Sequence, residues 1–278
     1  MSMFITTPWK PEGANARKIV TRRNKSVLYE LKINSEDLKH ATLLEQMRNQ
    51  ANLDNQFSYG VVPDISSFDC AFFDMDSTLI KQESIVELAK YAGTSEEVSR
   101  LTELAMEGKL DFEQALRKRV ATLEGVDYHV VDQVFGAFDV NDGAKDLVAF
   151  FKENGIASFL VSGGFTCLAE KLCTTLEMEG FYANTLEVKE GFFTGRLVGD
   201  LVDSKAKADF ARKTMLQRDF HKAIGIGDGA NDVPLMEYCS LAVGYSPKPV
   251  LIDYVDILNR TGDHMWLADL FIEKKLDP

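Results

Sequence analysis

The stretch Phe72-Phe73-Asp74-Met75-Asp76-Ser77-Thr78-Leu79-Ile80 decides the fold. Cys70 to Phe73 is an apolar run that stops at two aspartates one residue apart. Such a run, bounded by polar turn residues, reads as a buried central strand of a parallel sheet. The carboxyl ends of these strands open on the crevice where α/β sheets bind ligands. With side chains alternating at period two, Asp74 and Asp76 point the same way if the segment stays extended. Two neighbouring carboxylates repel, so folding them together implies a compensating cation, and Mg²⁺ is the hard, oxygen-seeking candidate. Taken alone, the pair also reads as a strand end that begins a turn.

Alternating strands and helices continue from Gly143 onward. The pattern gives helices over 144–152, 166–176 and 205–216 and strands over 156–161, 181–188, 222–226, 241–244 and 255–258, with a hairpin turning at Glu190-Gly191. The expected architecture is a Rossmann-like parallel sheet with right-handed crossovers. Between the first core strand and this series, residues 82–137 carry four successive helical patterns, which indicates a helical cap inserted over the sheet edge. The domain reading is therefore an α/β core over 66–81 and 138–278, a cap over 82–137, and an N-terminal extension over 1–65. In that extension Val27 to Ile33 alternates like a strand, Ser35 opens a helix to about Leu53, and 54–67 reads as a linker.

Composition narrows the function. At 278 residues and 45% hydrophobic, the chain can bury a sizeable core. A net charge of −12 argues against nucleic acid or anionic membrane as a partner, and no apolar run reaches spanning length. The start shows no secretory pattern, so the expected location is the cytoplasm. Cys70, Cys167, Cys173 and Cys239 are scattered and read as free thiols. His40, His129, His221 and His264 have no ligand spacing and read as surface residues.

Three strand ends carry polar or glycine-rich turns: 74–78, Ser162-Gly163-Gly164, and Gly227-Asp228-Gly229-Ala230-Asn231-Asp232. In a parallel sheet all three open on one edge. The glycines at 163–164 suit a phosphate cradle, and equally a tight strand–helix turn. Asp228, Asn231 and Asp232 add oxygens, and also fit a helix cap. Lys205 and Lys207 lie two apart on a helix, so only one can face the cleft.

These motifs, D-x-D-S-T-L at 74–79, S-G-G at 162–164, Lys207 and G-D-G-A-N-D at 227–232, resemble those of the haloacid-dehalogenase-like phosphatases. With Gln82-Glu83, the run Ala105 to Phe112, and Leu116-Arg117-Lys118-Arg119-Val120 in the cap, the chain is similar to the bacterial phosphoserine phosphatase family over about residues 68–275. The resemblance implies a Mg²⁺-dependent hydrolysis of O-phospho-L-serine, the last step of serine biosynthesis, through an aspartyl-phosphate on Asp74. Asp76 is then the general acid and base. The metal is held by Asp74, the Asp76 backbone carbonyl and Asp228, with Asp232 orienting that shell. Ser162, Gly163 and Lys207 hold the phosphate oxygens, Asn231 is a further substrate-binding residue, and the Lys-Ala-Asp pattern selects Lys207 over Lys205. Glu83 and Arg119 recognise the ammonium and carboxylate, with Met106 and Phe112 covering them. The alternative is a related phosphatase or phosphotransferase for another small phosphomonoester or acceptor such as homoserine; a non-catalytic binding module is the reading from another class. A homodimer through the N-terminal part is a further expectation. Ser246-Pro247-Lys248-Pro249 departs from the Ala-Lys-Pro common in the family, and amino-acid-binding regulation does not carry over to so short an N-terminal part.

Overall fold

The computed structural model describes the strands at 2–6, 16–20, 27–32 and 58–61, residue 49, and residues 64–106 and 111–275. The helix expected over 35–53 falls outside these residues, apart from residue 49. So do the side chains of Met106 and Phe112.

Among the described residues, eleven strands form one sheet. In chain order they are β1 (Ser2–Thr6), β2 (Ala16–Val20), β3 (Val27–Lys32), β4 (Ser58–Val61), β5 (Cys70–Phe73), β6 (Ala157–Phe165), β7 (Gly180–Lys189), β8 (Phe192–Val198), β9 (Ala223–Gly227), β10 (Leu241–Tyr245) and β11 (Ile257–Asn259). Their spatial order is β2-β3-β1-β4-β11-β10-β9-β5-β6-β7-β8. The six from β11 to β7 are parallel, and β8 closes one edge as the antiparallel arm of a hairpin. At the other end β4, placed inside the expected linker, pairs antiparallel with β11 and with β1. The N-terminal strands thus continue the core sheet.

Strand β5 is central, hydrogen-bonded to β9 on one side and β6 on the other. Its four side chains are buried and alternate between two layers, as period two demands. Cys70 and Phe72 pack on one face with Ala211 and Met215, while Ala71 and Phe73 pack on the other with Phe151 and Phe271. Both faces are therefore covered, which is why the strand reads as an unbroken apolar run.

Among the described residues from 84 onward there are nine α-helices: α1 (Ser84–Ala92), α2 (Ser95–Met106), α3 (Phe112–Ala121), α4 (Val130–Gly136), α5 (Ala144–Glu153), α6 (Thr166–Thr175), α7 (Ser204–Arg218), α8 (Val233–Tyr238) and α9 (Met265–Lys275). The first four lie between β5 and α5 and share a core of Ile85, Leu88, Val98, Leu116 and Val120 with Phe165 and Leu168. Asp111 caps α3 by accepting from Glu113 and Gln114 N–H at 3.1 and 3.3 Å. The chain leaves and re-enters the core side by side: Ile80 bridges Val140, and Gln82 accepts from Asp139 N–H at 3.0 Å.

His264 corrects the reading of the histidines as surface residues. It is 2% exposed, stacked on Tyr245 with ring centroids 3.9 Å apart. Its Nε2–H donates to the Thr78 carbonyl at 2.8 Å, and Asn141 Nδ2 donates to the same oxygen at 2.7 Å. The loop after Asp76 is thereby tied to the start of α9. Burial depresses the His264 pKa from 6.5 to about 4. The unfolded chain binds this proton near pH 6.5 and the folded chain only near 4, so stability falls as pH drops through that window. Urea unfolding at pH 7.5 and pH 5 should therefore show a pH-linked loss about 2 kcal/mol larger in the natural chain than in His264→Gln. Equal losses in both would contradict the burial of a neutral imidazole.

Candidate active site

The carboxyl ends of β5, β6 and β9 meet at a cleft of about 560 Å³. Asp74, Asp76, Glu83, Arg119, Ser162 and Asp228 all line it, as do Gly163 and Asn231. Lys207 and Asp232 sit beneath this lining, each with no exposure.

At the floor, Lys207 Nζ donates to Asp74 Oδ1 at 2.5 Å and to Asp232 Oδ1 at 2.8 Å. Asp203 caps α7 by accepting from Ala206 N–H at 2.7 Å, which fixes the turn carrying this lysine. Lys205, on the same turn, is exposed. Asp232 Oδ2 accepts from the N–H groups of Asp228 and Gly229, both at 3.1 Å. Both oxygens of Asp232 are thus occupied within the protein. Asp74 and Asp228 each engage one oxygen, Asp228 through Lys248 Nζ at 3.1 Å.

Carboxylate oxygens of Asp74, Asp228 and Asp232 lie within 4.8 Å of one another. An all-oxygen, buried, acidic set of this kind fits a hard divalent cation. Asp74 and Asp228 are the better placed to bind it, because each keeps an oxygen without a hydrogen bond among the described residues. Asp232 instead orients Lys207 and the 228–229 turn.

Burial pushes the Asp74 carboxyl upward, Lys207 pulls it back, and Asp232 and Asp228 add to the rise. For Lys207 burial opposes the charge, but Asp232 and Asp74 outweigh it and keep the ammonium protonated. Asp76 differs. Its oxygens accept from Ser84 N–H at 3.2 Å and Ser84 Oγ–H at 2.8 Å. Burial, reinforced by Glu83, raises its pKa to about 7, against the lowering effect of Ser84. A carboxyl that titrates near neutrality suits proton transfer in both directions.

Ser162 to Gly164 approach the motif closely. A Cβ on Gly164 would lie 2.7 Å from Met75 Cε and 2.9 Å from Ser84 Oγ, so a larger residue would force these side chains to shift. Gly164 N–H donates to Ser162 Oγ at 2.9 Å. On the opposite wall Ser77 Oγ–H donates to Glu83 Oε1 at 2.9 Å. Arg119 is 9% exposed, not the solvated base its Arg-Lys-Arg run also suggests. Its Nε–H donates to Ala115 O at 3.3 Å and an NH1 hydrogen to Thr102 Oγ1 at 3.2 Å. Burial lowers its pKa, while Glu83 and Asp76 favour its charge.

Lys248, like Ser84 and Thr102, is a residue the sequence reading missed. Lys248 lines the cleft, and its N–H donates to the Asp228 carbonyl at 2.8 Å. Its Lys-Pro context signalled only a loop.

The sequence signature of the haloacid dehalogenase-like hydrolases matches residues 71–237. The chain belongs to that family. A phosphoserine phosphatase of Archaeoglobus fulgidus is 39% identical to this chain over 188 residues, 66% of this chain and 54% of that protein. The chain thus spans about half the length of that relative. The phosphoserine phosphatase of Methanocaldococcus jannaschii is 36% identical over 193 residues, covering 69% of this chain and 92% of that one. A substrate-bound phosphoserine phosphatase structure superposes with a TM-score of 0.69 at 33% identity, covering 73% of this chain and 98% of the other. No helix among the described residues is long and apolar enough to cross a membrane.

Removing the shared ammonium leaves two buried carboxylates unpaired. In EDTA, Lys207→Met should lower the unfolding free energy by about 3–5 kcal/mol. A loss below about 1 kcal/mol in urea titration would show that the ammonium does not hold this cluster together.

Proposed function

We propose that the protein is a Mg²⁺-dependent phosphoserine phosphatase that hydrolyses O-phospho-L-serine to L-serine and phosphate. The observation that carries this reading is a buried guanidinium, Arg119, facing the same cleft as the carboxylate of Glu83 and the Asp74–Asp76 pair. A zwitterionic amino-acid end needs both signs of charge, and a planar fork suits its carboxylate.

Asp74 attacks phosphorus, the bond from phosphorus to the serine oxygen breaks, and the leaving oxygen takes the proton of Asp76. Asp76, now ionised, removes a proton from water as that water attacks the aspartyl-phosphate. Phosphate departs, and both carboxyls return to their starting states. Ser162 donates its hydroxyl and Gly163 its N–H to the phosphoryl oxygens, with Asn231 at the rim. Lys207 offsets charge on Asp74 from beneath. Asp74, Asp228 and the Asp76 carbonyl would hold Mg²⁺, which would supply positive charge against the phosphoryl oxygens. Lys248 steadies Asp228 from the solvent side.

This reading carries with it a cytoplasmic site of action, a place as the serine-releasing step of serine biosynthesis, and the helical segment 82–137 as the specificity cap. A homodimer through the N-terminal part is a separate proposal, checked by sedimentation of the full chain.

Phosphate release is the test, using L-phosphoserine and a generic aryl phosphate with Mg²⁺ or EDTA. L-phosphoserine should be strongly preferred and EDTA should abolish turnover. Arg119→Ala should cut kcat/KM for phosphoserine about 100-fold or more while changing the aryl phosphate little, since only the former uses the fork. Turnover of the aryl phosphate with none of phosphoserine would leave the phosphatase chemistry standing and overturn the substrate. Adding homoserine tests phosphotransfer: a phosphohomoserine product in excess of free phosphate would replace hydrolysis as the activity.

A further inference from the structure

Strand β6 carries a bulge where the cradle lies. Val161 pairs with Tyr182 and Phe165 with Asn184, so Ser162, Gly163 and Gly164 stand opposite Ala183 alone. The surplus residues leave the ladder, and their peptide groups need other partners. Gly164 N–H finds Ser162 Oγ. The Gly163 carbonyl accepts from Asn184 Nδ2 at 2.8 Å.

Asn184 is 1% exposed, and its carboxamide also holds a second segment. Oδ1 accepts from Val202 N–H at 2.8 Å, and Nδ2 reaches the Val202 carbonyl at 3.4 Å. Val202 immediately precedes Asp203, the cap of α7, and Lys207 follows one turn later. One planar amide therefore joins the bulge to the helix whose lysine holds Asp74. A side chain that donates and accepts at this length is required. Aspartate lacks the donors, leucine lacks both functions, and glutamine is a methylene too long.

We propose that Asn184 is a positioning residue that sets the spacing between the phosphoryl donors at 162–164 and the Lys207–Asp74 pair. It touches neither substrate nor reacting atoms. With Gly163 O drawn toward Asn184 and a lone pair of Ser162 Oγ taken by Gly164 N–H, the Ser162 hydroxyl hydrogen is left to donate into the cleft. The inference rests on the reading of 162–164 as the phosphoryl cradle.

The test compares Asn184→Asp and Asn184→Leu with Ser162→Ala, and with Leu172→Ala as a stability control in the core. Asn184→Asp is nearly isosteric and keeps the acceptor for Val202 N–H. The readouts are competitive inhibition by inorganic phosphate, kcat and KM on phosphoserine and aryl phosphate with Mg²⁺, and urea unfolding. Both Asn184 variants should weaken phosphate inhibition about tenfold and lower kcat/KM about 100-fold, by the same factor on both substrates. Leu172→Ala should keep its activity despite a comparable loss of stability. If Ser162→Ala weakens phosphate inhibition and Asn184→Asp does not, the positioning role is overturned while the cradle stands. Phosphate inhibition unchanged in Ser162→Ala would overturn the cradle reading itself. Activity lost by Leu172→Ala in step with stability would reduce Asn184 to a structural residue.

Discussion

One ammonium, fully buried and shared between Asp74 and Asp232, sets the terms for everything around the cleft. It ties the end of β5 to the turn after β9 through a side chain delivered by α7. Four carboxylates, Asp74, Asp76, Asp228 and Asp232, crowd this edge, and the ammonium groups of Lys207 and Lys248 face them. Two cations against four acids leave a deficit that a divalent ion fits. Asp76 answers to burial first and to Glu83 second, which together raise its pKa to about 7. Charge balance ties these groups together: acids buried this closely call for cations beside them.

The sheet explains why these groups meet. Parallel strands β9, β5 and β6 are neighbours, so loops more than 150 residues apart in sequence converge on one edge. Phe72 and Phe73 anchor β5 into opposite layers, and Asp74 N–H still donates to Ile226 O at 2.9 Å, one step past the strand. The backbone carrying the carboxylate is therefore as fixed as the core. The Arg119 side of the cleft is built differently, from α1, α2 and α3, with Arg119 held by Thr102 and the Ala115 carbonyl.

Much of this was legible in the sequence because its signals are local. An apolar run ending in Asp74-Met75-Asp76 marks a strand and its end at once, and the glycines at 163–164 and 227–229 mark the other two. That Lys207 and Lys205 cannot share a face follows from helical spacing; the burial of Lys207 settles which faces inward. Of the N-terminal strands β3 was legible in the alternation from Val27, whereas β1, β2 and β4 were hidden; β1 pairs with β3 and β4, partners brought together by long connections rather than tight turns. His264 looked exposed because its neighbours Gly262 and Asp263 are polar, whereas its environment is the Thr78 carbonyl and the Tyr245 ring. Lys248 gained its role only from contact with Asp228, twenty positions earlier in sequence. The helix α9 did leave a signal, since Trp266, Leu267, Leu270 and Phe271 recur at helical spacing and are all buried.

The central claim is that Asp74 itself takes the phosphoryl group. Rapid acid quench during turnover of radiolabelled phosphoserine, followed by digestion and mass spectrometry, tests it directly. The account predicts a hydroxylamine-labile phosphoryl label on Asp74, absent from Asp74→Asn. Full-rate phosphate release with no label on the chain, or with the label on another residue, would contradict it.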